Sequence, residues 1–123
     1  MDGEIDLELY TICIIRLNSA FEKIENDEID SDVNSMLSDS INDLGELIRD
    51  IEGDLSQEEI NCNEYDYFFE NGLNMFPAYI KTIEDKFEKT DDEETEENLK
   101  ILMVRFDRLL ELGGEYFKMR GIQ

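Results

Sequence analysis

The sequence contains no histidine and no tryptophan, and it has one proline and two cysteines. Histidine is the commonest general base of enzymes and the commonest transition-metal ligand, so its absence removes the usual catalytic triads and most zinc sites. Residues 30–34 resemble the opening of a calcium loop, but Ser35 stands where that loop needs glycine and Ile41 where it needs glutamate. Glycine-rich phosphate loops and Gly-x-Ser-x-Gly elbows are also missing. We therefore expect a protein that is not an enzyme and that binds no cofactor and no metal.

Long apolar runs and a basic N-terminal segment are lacking as well. The longest uncharged apolar stretch, residues 9–15, is far shorter than the roughly 18 to 20 residues that span a bilayer. The first eight residues carry four acids instead of the basic residues of a secretory signal. Cys13 and Cys62 stand beside apolar neighbours in predicted helices, which favours buried free thiols over a disulfide. These features predict a soluble, cytoplasmic protein.

Positive charge is scarce. The 123 residues include 33 Asp and Glu against 11 Lys and Arg, a net charge of −22, yet 41% of them are apolar. This composition predicts one folded acidic helical domain over residues 1–123. Residues 1–76 hold 21 acids and 3 bases, a balance of −18, whereas residues 77–123 hold 12 acids and 8 bases, a balance of −4. Such a field repels nucleic acid and anionic membranes and attracts basic proteins.

Apolar residues recur at helical spacing along the whole chain, and strand-like alternation of useful length is absent. The pattern predicts an all-α, single-domain antiparallel bundle of four to five helices, over about residues 3–25, 31–52, 57–71, 77–89 and 91–119. Successive helices with short connections pack antiparallel. We expect the first and last helices, which are apolar on two sides, to be central and the second to lie on the outside.

Capping residues and glycines set the predicted boundaries of the second and third helices. Asp30 or Ser31 can cap the second helix by accepting an unpaired backbone N–H, and Gly53 supplies a left-handed stop. The reciprocal spacing of Ser56 and Glu59 predicts that the third helix begins there.

The last helix has a similar beginning and a weak point near its end. Thr90 and Glu93 repeat the capping-box spacing, and the acids that follow suit the positive end of the helix dipole. Gly113 and Gly114 each cost about 1 kcal/mol inside a helix, so the helix is expected to bend or end there.

The predicted second helix is apolar on one side and acidic on the other. Its carboxylates at positions 39, 43, 46 and 50 follow steps of four, three and four, which places neighbours about 5 to 6 Å apart along the axis. Arg49 is the only base on this helix that offers local neutralisation. The candidate partner-binding residues are Asp27, Glu28, Asp30, Asp32, Asp39, Asp43, Glu46, Asp50 and Asp54, with Tyr65 and Tyr67 as candidate aromatic anchors.

A surface that carries charge of one sign indicates a partner that carries the opposite charge. Duplex DNA carries one phosphate charge per about 1.7 Å of axis, and rows of carboxylates on a helix can imitate that field. We therefore expect a non-enzymatic acidic protein that occupies the positively charged, nucleic-acid-binding surface of a partner protein, such as a nuclease, and inhibits it. Phage anti-defence inhibitors of the anti-CRISPR type and DNA mimics act in this way, and the likeness is one of composition and helical class. No direct binding of nucleic acid or membrane is expected.

Other interpretations stay open. The chain can be the immunity protein of a nuclease toxin, or it can carry a halophile's acidic surface, although its isoleucine, asparagine and lysine content disfavours the latter. It can also be an obligate helical assembly or dimerisation protein whose acids serve only solubility. A homodimer would then form through the second apolar sides of the first and last helices, which comprise Ile5, Leu9, Ile12 and Ala20 and, in the last helix, Ile101, Val104 and Leu112.

Overall fold

The computed structural model describes residues 5–57, 60–87 and 89–121. These ranges contain five α-helices and no strand, which confirms the predicted all-α fold. A π-helical turn, Phe68–Gly72, directly continues the third helix. The helices are α1 (Leu7–Glu25), α2 (Ser31–Gln57), α3 (Cys62–Tyr67), α4 (Phe76–Lys86) and α5 (Glu93–Arg120).

The helices α1 and α2 form an antiparallel pair, as their short connection predicts. The Cys13 thiol lies 3.8 Å from the backbone oxygen of Ser40, near the middle of both helices. Lys23, close to the end of α1, lies 4.0 Å from Asp30 at the start of α2. Asp30 also caps α2, as predicted, by accepting the backbone N–H of Val33 at 2.9 Å.

The helices α4 and α5 form a second antiparallel pair. The rings of Phe76, at the start of α4, and Phe106, in the middle of α5, are 4.6 Å apart. Near the end of α4 the chain meets an earlier part of α5, because the Lys100 ammonium lies 5.3 Å from the Phe87 ring centroid. The Tyr79 ring also lies 5.7 Å from that of Phe106, so aromatic packing joins the two helices.

The helix α2 lies between α1 and α5, so the prediction that it lies on the outside is wrong. It packs extensively against both neighbours. Contacts with α5 advance in the same direction along both helices, from Asn34 with Thr95 near their beginnings to Glu52 with Arg108 farther along. The buried residues of α2 cover an arc of about 140° around the helix axis, counted at 100° per residue. This arc is wide enough for α2 to pack against two neighbouring helices.

Two predicted boundaries around α3 are also wrong. The helix α2 continues through Gly53 to Gln57, and Gly53 does not adopt the left-handed conformation of a helix stop. Ser56 therefore belongs to α2, and Asn61 caps α3 by accepting the backbone N–H of Glu64. Glu59, the other half of the predicted capping box, lies outside the described residues.

The helix α5 continues through Gly113 and Gly114 to Arg120, so the predicted end of the helix at these glycines is wrong. Gly113 is buried against the π-helical turn, where a Cβ atom would stand 3.0 Å from the Phe69 ring. Its missing side chain thus allows the close approach of an aromatic cluster in which Tyr65 and Tyr116 stack at 5.5 Å. Packing offsets the cost of glycine in the helix.

The second apolar sides of α1 and α5 are only partly available for a homodimer. Ile5, Ala20 and Leu112 are buried in the core, which excludes them from any seam. Ile12 and Val104 remain exposed, at 47% and 63%. Within the described ranges, no helix combines the length and the apolarity needed to cross a bilayer.

Candidate acidic docking surface

The carboxylates of Asp39, Asp43, Glu46 and Asp50, here called the acidic stripe, line one side of α2. Asp39, Glu46 and Asp50 are exposed, and Asp43 is half-buried. The stripe extends for about 16 Å along the helix axis at a rise of 1.5 Å per residue. The structure therefore brings these four predicted residues together on an accessible face of α2.

One base reaches the acidic stripe, and it comes from α1. Arg16 Nη1 donates to Asp43 Oδ2 at 2.6 Å, and this hydrogen bond, with the nearby Asp39 charge, raises the pKa of Arg16 above its ordinary value. The expectation that Arg49 neutralises the stripe is wrong, because Arg49 forms no ion pair within the described ranges. Asp43 is thus engaged inside the chain.

The other three carboxylates of the stripe have no such partner. Among the described residues, Asp39, Glu46 and Asp50 accept no hydrogen bond and form no ion pair. Side chains of this kind are free to meet a cation from outside, and they repel one another until they do.

Asp54 and Tyr65 lie one turn beyond the stripe and are bonded to each other. The Tyr65 hydroxyl donates to Asp54 Oδ2 at 2.6 Å, while the Tyr65 ring is fully buried. Burial and the carboxylate of Asp54 raise the pKa of Tyr65 well above its usual range. The prediction of Tyr65 as an aromatic anchor is wrong, since its ring stacks on Tyr116 in the core. Tyr67 is 61% exposed and stays a candidate.

The turn between α1 and α2 carries four further predicted residues, two of which have structural roles. Asp27 adopts a left-handed backbone conformation with φ of 59° and accepts from Lys86 Nζ at 3.2 Å. Asp30 caps α2. Glu28 and Asp32 are exposed. Lys86 pairs with Asp27 and Lys23 lies 4.0 Å from Asp30, so lysines partly neutralise this turn.

A polar cluster joins the beginnings of α2 and α5, and sequence reasoning did not identify it. The buried Asn34 side chain accepts from Thr95 at 3.1 Å and from Asn98 at 3.1 Å, and it donates to Asp92 at 3.0 Å. Hydrogen bonds from Thr95 and Asn34 lower the pKa of Asp92. The sequence does not show that the beginnings of α2 and α5 lie together, so this cluster could not be predicted from it. The role of the cluster is structural.

Two isoleucines of α1, Ile12 and Ile15, are exposed and are here called the isoleucine pair. Their exposed fractions are 47% and 62%. Ile12 stands four residues before Arg16 and so lies on the same side of α1 as the base whose guanidinium contacts Asp43. Ile15 follows Ile12 by three residues and extends the apolar patch around α1. Sequence reasoning placed Ile12 in a possible dimer seam and did not single out Ile15.

Two features of the described residues bear on metal binding and on thiol reactivity. In the part of the chain that the structure describes, no group of three or more His, Cys, Asp or Glu is placed to hold a metal ion. Cys13 is buried, and this burial raises the pKa of its thiol to about 11, so it is a poor nucleophile. Nothing matches this chain among protein-family models, curated proteins or solved structures.

Proposed function

We propose that this protein is a non-enzymatic inhibitor that docks its acidic stripe in the basic, nucleic-acid-binding groove of a partner protein. The single observation that carries the proposal is that three stripe carboxylates, Asp39, Glu46 and Asp50, stand exposed on one face of α2 and form no ion pair with any described residue. An anti-defence inhibitor of a nuclease and the immunity partner of a nuclease toxin are both instances of this function.

Electrostatics supports a competitive mechanism. Carboxylates of the stripe follow one another about every 5 to 6 Å along α2, against about 3.4 Å of axis per phosphate in one DNA strand. The row is sparser than DNA but has the same sign, so lysines and arginines of a groove can pair with either. Occupation of the groove then excludes nucleic acid directly. Complementary charge also accelerates the encounter, and it makes the association steeply dependent on salt.

The experiment is a comparison of the wild-type chain with an Asp39→Asn, Glu46→Gln, Asp50→Asn variant. Each chain is immobilised and exposed to a nuclease-treated lysate of the cells that naturally produce it. The retained protein is purified, and its DNA binding is measured with increasing amounts of each chain. We expect the wild-type chain to displace DNA and the variant to displace it at least tenfold less well.

Asp43 is left unchanged because its removal would break the ion pair with Arg16. A matched control neutralises three exposed acids of α5 that form no ion pair among the described residues, with Glu94→Gln, Glu97→Gln and Asp107→Asn. This control removes the same charge from another helix and should inhibit like the wild-type chain. Equal inhibition by the stripe variant, or a captured protein that does not bind nucleic acid, would overturn the proposal.

A second candidate function is helical assembly, which one observation favours. Val104 is 63% exposed beside an open groove of about 560 Å³ between α4 and α5, lined also by Ile83, Phe87 and Met103. If a second copy covers this groove, the chain should sediment as a dimer, and Val104→Gln should return it to a monomer. A monomeric wild-type chain at two concentrations would exclude this function.

A further inference from the structure

The isoleucine pair gives the proposed docking surface an apolar component that charge alone does not explain. Ile15 is 62% exposed, and Ile12, one turn of helix earlier, is 47% exposed. Single exposed apolar residues are ordinary on protein surfaces. Here two neighbouring β-branched side chains share α1 with Arg16, the base that pairs with the acidic stripe. A specific interface combines such an apolar centre with a charged rim.

The ion pair between Arg16 and Asp43 connects α1, which carries the isoleucine pair, to the acidic stripe of α2. The Arg16 guanidinium bonds to Asp43 at 2.6 Å, and both side chains are only about one-quarter exposed. The ion pair therefore ties α1 to α2, and Ile12, one helical turn before Arg16, stands on the side of α1 that meets the acidic stripe. Packed helices stand about 8 to 10 Å apart, which sets the distance between the apolar and acidic rows.

We infer that the isoleucine pair and the acidic stripe bind one occupant, a basic protein surface that carries aliphatic side chains beside its row of lysines or arginines. This inference rests on the proposed function and adds the apolar half of the partner's chemistry. Charge complementarity determines the occupant, because the exposed Asp39, Glu46 and Asp50 bind cationic side chains. Ile12 and Ile15 bind an apolar side chain of the same partner, at about the distance that separates two packed helices. An amphipathic basic helix is the simplest segment with both features.

The probes that test the inference are two helical peptides of the same length and charge. One is a Leu/Lys amphipathic peptide, and in the other every leucine is replaced by glutamine. Binding is measured by fluorescence anisotropy at low and high salt. The wild-type chain should bind both peptides and should prefer the Leu/Lys peptide by about tenfold, because the leucines bury apolar area against the isoleucine pair.

The decisive variant is Ile12→Gln, Ile15→Gln. Glutamine is a good helix former and both sites are exposed, so far-ultraviolet circular dichroism should be unchanged. This variant should lose the preference for leucine while it binds the Gln/Lys peptide like the wild-type chain. The matched control is Val104→Gln, since Val104 is equally exposed but lies on α5, and it should keep the preference.

The outcomes separate the inference from the function on which it rests. If the isoleucine variant keeps the preference for leucine, or if Val104→Gln removes it, the isoleucine pair does not contact the occupant and the inference is wrong. If the Asp39→Asn, Glu46→Gln, Asp50→Asn variant binds both peptides as tightly as the wild-type chain, the acidic stripe is not the docking site, and the proposed function fails instead.

Discussion

The Tyr65 hydroxyl donates a 2.6 Å hydrogen bond to the Asp54 carboxylate, so the last acid on the exposed side of α2 is tied to a fully buried ring. Through this contact α3 is fastened to α2, and through the stacking of Tyr65 on Tyr116 it is fastened to α5 as well. A residue that looks like part of a charged surface in the sequence is therefore a structural anchor.

Replacing Tyr65 with phenylalanine should lower the free energy of unfolding by about 1 to 2 kcal/mol. The ring remains in place, but a hydrogen bond to a charged group, worth about 1.5 to 3 kcal/mol when it is shielded from water, is lost. The half-buried position of Asp54 reduces that value. Urea denaturation measures the effect, and Tyr67→Phe, whose side chain is 61% exposed, should stay within about 0.5 kcal/mol of the wild-type chain. Equal effects of the two substitutions would contradict a role for this bond.

Alkaline pH should unfold the protein as its buried tyrosines ionise. Burial raises the pKa of Tyr79 from 10.0 to about 12, and it raises the pKa values of Tyr10, Tyr65 and Tyr116 beyond that. Above pH 10 the unfolded chain loses these protons before the folded chain does. The stability is thus fully present below pH 10 and falls as the pH rises to about 12 and above.

The measurement is a parallel titration of tyrosinate absorbance and of helicity by circular dichroism. Both signals should change in one cooperative step, with most of the tyrosinate absorbance arising as helicity is lost. Ionisation of all five tyrosines near pH 10 with helicity retained would show that their rings and hydroxyls are accessible in the folded chain.

The adjacent glycines of α5 should respond differently to alanine. Gly114 has open space where its Cβ would stand, so Gly114→Ala should raise the free energy of unfolding by up to about 1 kcal/mol through helix propensity. At Gly113 the new Cβ would stand 3.0 Å from the Phe69 ring, and displacement of that ring cancels the gain. Thermal denaturation of the two variants tests this difference, and an equal gain at both positions would show that the ring gives way without cost.

Neutralising the acidic stripe should stabilise the isolated protein. The Asp39→Asn, Glu46→Gln, Asp50→Asn variant relieves repulsion along α2, so its melting temperature should exceed that of the wild-type chain at low salt. The difference should shrink as sodium chloride is added, because salt screens the same repulsion. Differential scanning calorimetry at two salt concentrations gives the comparison. A melting temperature of the variant below that of the wild-type chain at low salt would mean that these carboxylates stabilise the fold. That result would count against a binding role for them.

Local patterns in the sequence predicted the helices well. The spacing of apolar residues predicts α1, α2 and α5, and the cap at Asp30 is seen directly in the structure. The exposure of the stripe follows from the same periodicity, because acids opposite an apolar arc stay in water whatever that arc packs against. The boundary at Gly53 was missed because α2 continues to the residue that Tyr65 anchors.

The sequence by itself determined that the chain is helical, that its charge is gathered in the first 76 residues, and that α2 has an acidic and an apolar side. Those are local properties, set by residue type and spacing within one element. Only the tertiary structure decided that α2 lies between two neighbours, that Arg16 reaches across to Asp43, and that Tyr65 is buried while Ile15 is exposed. These relations join residues distant in the chain, and helical spacing limits which side of a helix faces the core without saying which helix will meet it.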